Sequence, residues 1–174
     1  RQGWLDLREA REKRNGVKVL LFLDVGGSMD DHVHATAALF AAARAEFHRL
    51  TVFYFHNCLY ETLWTDAARR TRVETAEVLR RHGPDHRAIF VGDAAMSPYE
   101  IEAKGGSVEH WNPEPGRAWL TRARAHWPKS LWINPSAPEG WRYTPSTTAI
   151  AGIFEGQMVP LTLNGLTNGL KAIR

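Results

Sequence analysis

Val17–Leu23 (VKVLLFL) is a nearly continuous apolar run with β-branched and aromatic members, and it stops abruptly at Asp24-Val25-Gly26-Gly27-Ser28. The run is too short for a helix, and it lacks the polar alternation of a strand with one wet face. It reads as a strand buried on both faces. Such a strand needs helices above and below it, which restricts the chain to an α/β architecture.

The rest of the chain supplies the partners. Asp30–Leu50 carries Ala37, Phe40, Ala41 and Phe47 at helical spacing and reads as a helix. Thr51–His56 (TVFYFH) is a second strand. Leu59–Trp64 is a third, reached through a turn at Asn57-Cys58 that is too tight for anything but an antiparallel pair. Asp66–Arg72 reads as polar loop. A short helix over Thr75–Arg81 stops at Gly83-Pro84, and Arg87–Gly92 (RAIFVG) is another buried strand, ending at Asp93. Beyond it we expect a helical turn at Pro98–Ala103, loop over Gly105–Pro115, a helix at Gly116–His126 and a strand at Leu131–Ile133. A helix at Ser146–Phe154, a strand at Met158–Leu161 and a helix at Leu163–Ile173 complete the order. The predicted fold is α/β: a Rossmann-like three-layer α/β/α sandwich with a mostly parallel central sheet and one antiparallel strand near an edge. Residues 1–16 read as a polar lead-in with Trp4, Leu5 and Leu7 as its sizeable apolar members, and residues 17–174 as the domain. The chain begins at Arg1 with neither Met nor a signal-peptide pattern, and reads as a piece of a longer protein.

Composition removes several function classes. The single cysteine, Cys58, closes no disulfide within the chain and excludes a cysteine-based zinc cluster. No apolar run approaches the ~18 residues a membrane helix needs. The net charge is +3 over 174 residues, with Lys and Arg scattered among Asp and Glu rather than gathered in a stripe, which argues against nucleic acid as the partner. His32 and His34 do not share a helical face, Gly83-Pro84 separates His82 from His86, and no His-Glu-x-x-His pattern occurs. Phosphate-binding glycine motifs and Gly-x-Ser-x-Gly are absent.

In a parallel α/β sheet the ligand sits outside the carboxyl ends of the strands. Three polar breaks fall there: Asp24 to Ser28 after the first strand, the loop ending at Thr75, and Asp93. Two carboxylates and two hydroxyls with no soft ligand suit a hard divalent cation, Mg²⁺ before Mn²⁺ or Ca²⁺, rather than zinc or copper. Taken singly, each residue also suits helix capping. Asp30 and Asp31 either add negative charge beside a cation or stabilise the positive end of the next helix. Met29 is a partner contact or a packing residue. Of the tryptophans, Trp119 and Trp132 read as core, while Trp111 and Trp141 fall in loops, where they either anchor an interface or cap the core.

Asp24-Val25-Gly26-Gly27-Ser28-Met29, after an apolar strand and before an Ala-rich helix, resembles the first motif (Asp-x-Ser-x-Ser) of the von Willebrand factor A (VWA) domain. In that family the motif joins a Thr and an Asp from two later loops to form a metal-ion-dependent adhesion site. The stretches TVFYFHNCLYETLW and IFVGDAAMSPYEI resemble the bacterial CoxE-like group of the same superfamily. The resemblance implies that Asp24, Ser28, Thr75 and Asp93 are the metal residues, with Thr65 and Thr71 as alternatives to Thr75. It implies further that Gly26, Gly27, Met29, Asp30 and Ser97 border the partner. Gly26 departs from the pattern: it stands where the family has its first Ser and carries no side-chain oxygen, which leaves a vacancy that a water can fill and lowers the expected affinity for the ion. The expected function is then a metal-dependent protein-interaction module, not an enzyme, which offers a cation to an acidic side chain of a protein partner. CoxE-like proteins further suggest a cytoplasmic partner of a MoxR-type AAA+ ATPase, in assembly or metallocofactor maturation. The alternatives are a Mg²⁺-dependent phosphoryl-transfer enzyme using Asp24, against which Gly26 stands where a second Asp is expected, and a nucleic-acid-associated module.

Overall fold

The computed structural model describes residues 16–173, so the lead-in expected over residues 1–16 lies almost wholly outside the described residues. Among these, seven strands form one sheet: β1 (Lys18–Asp24), β2 (Arg49–Phe55), β3 (Thr62–Trp64), β4 (Arg72–Glu74), β5 (Arg87–Val91), β6 (Ser130–Asn134) and β7 (Met158–Pro160). Their order is β4-β3-β2-β1-β5-β6-β7. β1 pairs in parallel with both β2 and β5, and the parallel run continues through β6 to β7. β3 runs antiparallel to β2, as the tight Asn57-Cys58 turn requires. The Rossmann-like α/β expectation is borne out.

Around the sheet lie helices α1 (Val33–Glu46), α2 (Thr75–Arg81), α3 (Pro98–Glu102), α4 (Gly116–His126), α5 (Pro138–Trp141), α6 (Pro145–Ile153) and α7 (Leu163–Ala172), with a 3-10 turn at Gly27–His32 ahead of α1. Alternate residues of β1 point to opposite faces. Leu20 and Phe22 enter one core with Phe90, Trp127, Trp132 and Phe154. Val19, Leu21 and Leu23 enter a second, against which Leu39 and Phe40 of α1 and Leu166 and Leu170 of α7 pack. The first core is held by aromatic faces: Phe22 and Phe90 stack at 4.5 Å, and Phe90 lies parallel to Trp132 at 5.9 Å.

Four sequence expectations are corrected. The helix expected over Asp30–Leu50 is a 3-10 turn followed by α1, which ends at Glu46; Phe47 turns extended and β2 begins at Arg49. The strand expected from Leu59 begins only at Thr62, because Leu59 and Tyr60 are buried inside the preceding turn. The polar stretch read as loop to Arg72 runs into β4, a three-residue strand that pairs antiparallel with β3 through its backbone. Trp141, expected in a loop, instead ends α5; it packs on the core, one of the two roles open to it, and donates from Nε1 to Ser136 O at 3.1 Å. Trp111 is 74% exposed.

No helix among the described residues is long and apolar enough to cross a membrane.

Candidate metal centre

From β1 the chain passes to β2 on one side and later returns to β5 on the other. The loops leaving β1 and β5 therefore diverge, and the cleft they open at the carboxyl ends of the strands is where α/β proteins place ligands. Asp24 is the last residue of β1, and Asp93 lies just beyond β5. Both are 4% exposed. Gly92 permits this approach: a β-carbon there would fall 3.0 Å from Asp24 Cβ and 3.1 Å from its Oδ2.

The two oxygens of Asp24 differ. Oδ1 accepts hydrogen bonds from the backbone N–H of Gly26 at 2.8 Å and of Asn57 at 2.9 Å. Oδ2 is buried with no hydrogen-bond partner. Burial pushes the Asp24 carboxyl up from its ordinary value of 3.8 to about 7; the two backbone N–H groups oppose this, and the charges of Asp93 and Glu100 add to it. An unpartnered buried carboxylate oxygen beside a second carboxylate is costly unless a cation compensates it.

The Asp93 loop is pinned from several directions. Asp93 Oδ1 accepts from Ala95 N–H at 3.0 Å, and its carbonyl accepts from Asn134 Nδ2 at 2.8 Å. Ala94 takes a left-handed φ of 57°, and its carbonyl accepts from both Ser146 Oγ at 2.7 Å and Thr147 Oγ1 at 3.1 Å. Ser146 Oγ in turn accepts from Met96 N–H at 3.2 Å. Behind the loop, Trp132 Nε1 donates to Gly92 O at 2.8 Å.

Thr75 opens α2 and is 1% exposed. Its hydroxyl donates to Tyr60 O at 2.5 Å, which commits its proton and leaves only lone pairs on the oxygen. Tyr60 OH donates to the backbone carbonyl of Glu100 at 2.9 Å, which ties the Thr75 loop to α3. Ser28 is exposed in the 3-10 turn, beside exposed Gly27 and Asp30. Thus Asp24 and Asp93 share one buried neighbourhood, Thr75 is tied through Tyr60 to the backbone of Glu100, and Ser28 is exposed in the turn that follows Asp24. Ser97 is an exposed N-cap whose Oγ accepts from Tyr99 N–H at 3.3 Å. Met29 is buried, and with Asp30 it lines an apolar groove of about 340 Å³ between α1 and the sheet, together with Leu23, Val33, Phe40 and Tyr54.

Two residues were missed from the sequence. Asn57, read there only as part of a turn, sits at a φ of 57° against Asp24. Glu100, 2% exposed in α3, accepts from Asn57 Nδ2 with both carboxylate oxygens at 3.2 Å. Neither has a local signal: the two lie on separate loops, and only the fold joins them.

Among the described residues, no group of three or more His, Cys, Asp and Glu side chains is arranged to hold a metal. What is present is a mixed set of carboxylate, hydroxyl and amide oxygens. The orphaned Asp24 Oδ2 and these oxygen donors fit a hard cation that retains much of its water.

Residues 3–83 match the family model described as "VWA domain containing CoxE-like protein", a span that includes Asp24, Ser28, Asn57 and Thr75. No curated protein matches the chain.

Proposed function

We propose that the chain, whose residues 3–83 match the family model of VWA domains in CoxE-like proteins, is a metal-dependent protein-interaction module rather than an enzyme. The observation that carries the reading is Asp24 Oδ2, buried without a partner where Asp93 adds a second carboxylate. Asp24, Ser28, Thr75 and Asp93 are the proposed metal residues, and Mg²⁺, or Mn²⁺ or Ca²⁺, is the proposed ion. When bound, the cation supplies a positive charge with an open coordination position, and the fitting ligand is an acidic side chain of a protein partner.

The chain's own residues set the rest. Gly26 and Asn57 hold one oxygen of Asp24 by backbone N–H groups and leave the other for the ion. Gly27, Ser28 and Asp30 lie exposed around the site, and the groove lined by Met29 and Asp30 offers apolar surface next to it. A carboxylate flanked by apolar side chains on the partner suits both. Against Asp24 as a phosphoryl-accepting nucleophile stands Gly26, at the position where such enzymes carry a second Asp.

From the CoxE-like resemblance we take a cytoplasmic MoxR-type AAA+ ATPase as the proposed partner, in protein assembly or metallocofactor maturation. The test is co-elution of the purified domain with such an ATPase in Mg²⁺ and in chelator. A complex that forms in Mg²⁺ and is lost in chelator is expected. A complex indifferent to chelator contradicts metal dependence.

A further inference from the structure

Gly26 is the position at which the candidate metal set lacks an oxygen, and the fold brings one there from elsewhere. β1 and β2 are parallel neighbours with Asp24 opposite Phe55, and Val25 N–H donates to Phe55 O at 2.8 Å. The loops after the two strands thus leave the sheet side by side. Asn57, in the second loop, takes the left-handed conformation with φ 57° and donates its backbone N–H to Asp24 Oδ1 at 2.9 Å. That conformation brings its side chain over Gly26: a β-carbon on Gly26 would fall 2.0 Å from Asn57 Oδ1 and 3.1 Å from its Cγ. The amide oxygen fills the volume a serine side chain at position 26 would need.

The orientation of the amide follows from chemistry. Nδ2 lies 3.2 Å from both carboxylate oxygens of Glu100, and an amide nitrogen can donate to both whereas an amide oxygen can donate to neither. The nitrogen must therefore face Glu100, which leaves Oδ1 facing Gly26. Among the described residues no donor is hydrogen-bonded to Asn57 Oδ1, and the Gly26 β-carbon position it crowds lies 3.1 Å from Asp24 Oδ1, so the amide oxygen stands on the Oδ1 side of the buried Asp24 carboxylate, whose other oxygen is unpartnered. A neutral amide oxygen is a hard donor of the kind Mg²⁺ and Ca²⁺ accept, and it adds no charge, as a serine hydroxyl would add none.

We infer that Asn57 Oδ1 supplies the oxygen donor absent from Gly26, so that the cation site draws on the β2 loop as well as on Asp24, Ser28, Thr75 and Asp93. Glu100 acts as a positioning residue that holds the amide by its nitrogen. This inference rests on the proposed reading of the site as a cation site. On this view Gly26 is the complement of Asn57 and does not mark a decayed motif: the glycine makes room for the oxygen that replaces its own.

The experiment is Mn²⁺ and Mg²⁺ titration of the purified chain by calorimetry, with circular dichroism and a denaturation midpoint to confirm folding. Four proteins are compared: the wild type, Asp24→Ala, Asn57→Gly, and Gly26→Ser combined with Asn57→Gly. Asn57→Gly keeps the left-handed backbone and removes only the amide. It is expected to weaken Mn²⁺ binding by on the order of tenfold or more. The double variant, which moves the oxygen back to position 26, is expected to recover most of that loss. Wild-type affinity in a folded Asn57→Gly protein would overturn the Asn57 assignment and leave the cation site standing. Failure of the wild type to bind Mn²⁺, or undiminished binding by Asp24→Ala, would overturn both. Should the double variant not fold, the single Asn57→Gly substitution decides.

Discussion

Asn57 Oδ1 lies 2.0 Å from where a β-carbon on Gly26 would stand, so these two residues of neighbouring loops cannot both carry full side chains in the observed arrangement. Restoring the family's serine at position 26 therefore does harm while Asn57 is present. Gly26→Ser is expected to destabilise the chain by about 1–3 kcal/mol, the usual cost of overpacking a buried position. Adding Asn57→Gly is expected to remove most of that cost. Denaturation midpoints of the two single variants and the double variant measure it, and additive effects would show that the residues do not compete for space.

Stability without metal should depend on pH through Asp24. Its folded-state pKa of about 7 lies above its ordinary 3.8, so between these values the folded chain binds more protons than the unfolded chain. Stability then falls as pH rises from about 4 to about 7, by an amount on the order of 4 kcal/mol if Asp24 acts alone. Urea denaturation in chelator across this range is the measurement. Asp24→Asn, which stays neutral throughout, should flatten the slope. An equal slope in that variant would assign the pH dependence to other groups.

Gly92 lets the strand β5 edge lie against Asp24. Gly92→Ala places a methyl 3.1 Å from the unpartnered Oδ2 and 3.2 Å from Trp132 Cζ2. A loss of about 1–3 kcal/mol is expected, together with weaker Mg²⁺ stabilisation because the methyl covers the oxygen proposed for the ion. Unchanged thermal stability and an unchanged Mg²⁺ response would show that the loop yields at no cost.

Ser146 bridges Ala94 O and Met96 N–H, and Ala94 itself is held at a φ of 57°. Ser146→Ala leaves the part-buried Met96 N–H without its partner, while Ala94 O keeps Thr147, and is expected to cost about 1 kcal/mol. Since this loop carries Asp93, the metal response should weaken as well. Guanidinium denaturation with and without Mg²⁺ separates the two effects.

The fold was legible wherever burial left a pattern. Val17–Leu23 and Arg87–Gly92 are apolar runs that only a two-sided sheet can bury, and both are central strands. Gly116–His126, with Trp119, Leu120 and Ala123 on one face, matches α4 residue for residue. β4 was not legible, because Arg72 and Glu74 are exposed and the strand is held by backbone pairing with β3 rather than by buried side chains. At the site, Asp24 and Asp93 could be picked out because each terminates an apolar run. Asn57 and Glu100 could not: Asn57 resembles any turn asparagine, and Glu100 in a short polar helix resembles a solvated residue. Their contact spans 43 positions of the sequence and exists only once β2 and α3 are in place.

The most direct measurement of the proposed function is thermal melting of the chain in Mg²⁺ or Mn²⁺ against chelator, for the wild type, Asp24→Ala and Asp93→Ala. An ion bound only by the folded state raises the melting temperature, and the rise grows with the logarithm of its concentration once that exceeds the Kd. The wild type should melt higher with metal, and neither variant should respond. A wild type whose melting temperature is unmoved by either ion, or variants that respond as it does, would contradict a cation site at Asp24 and Asp93.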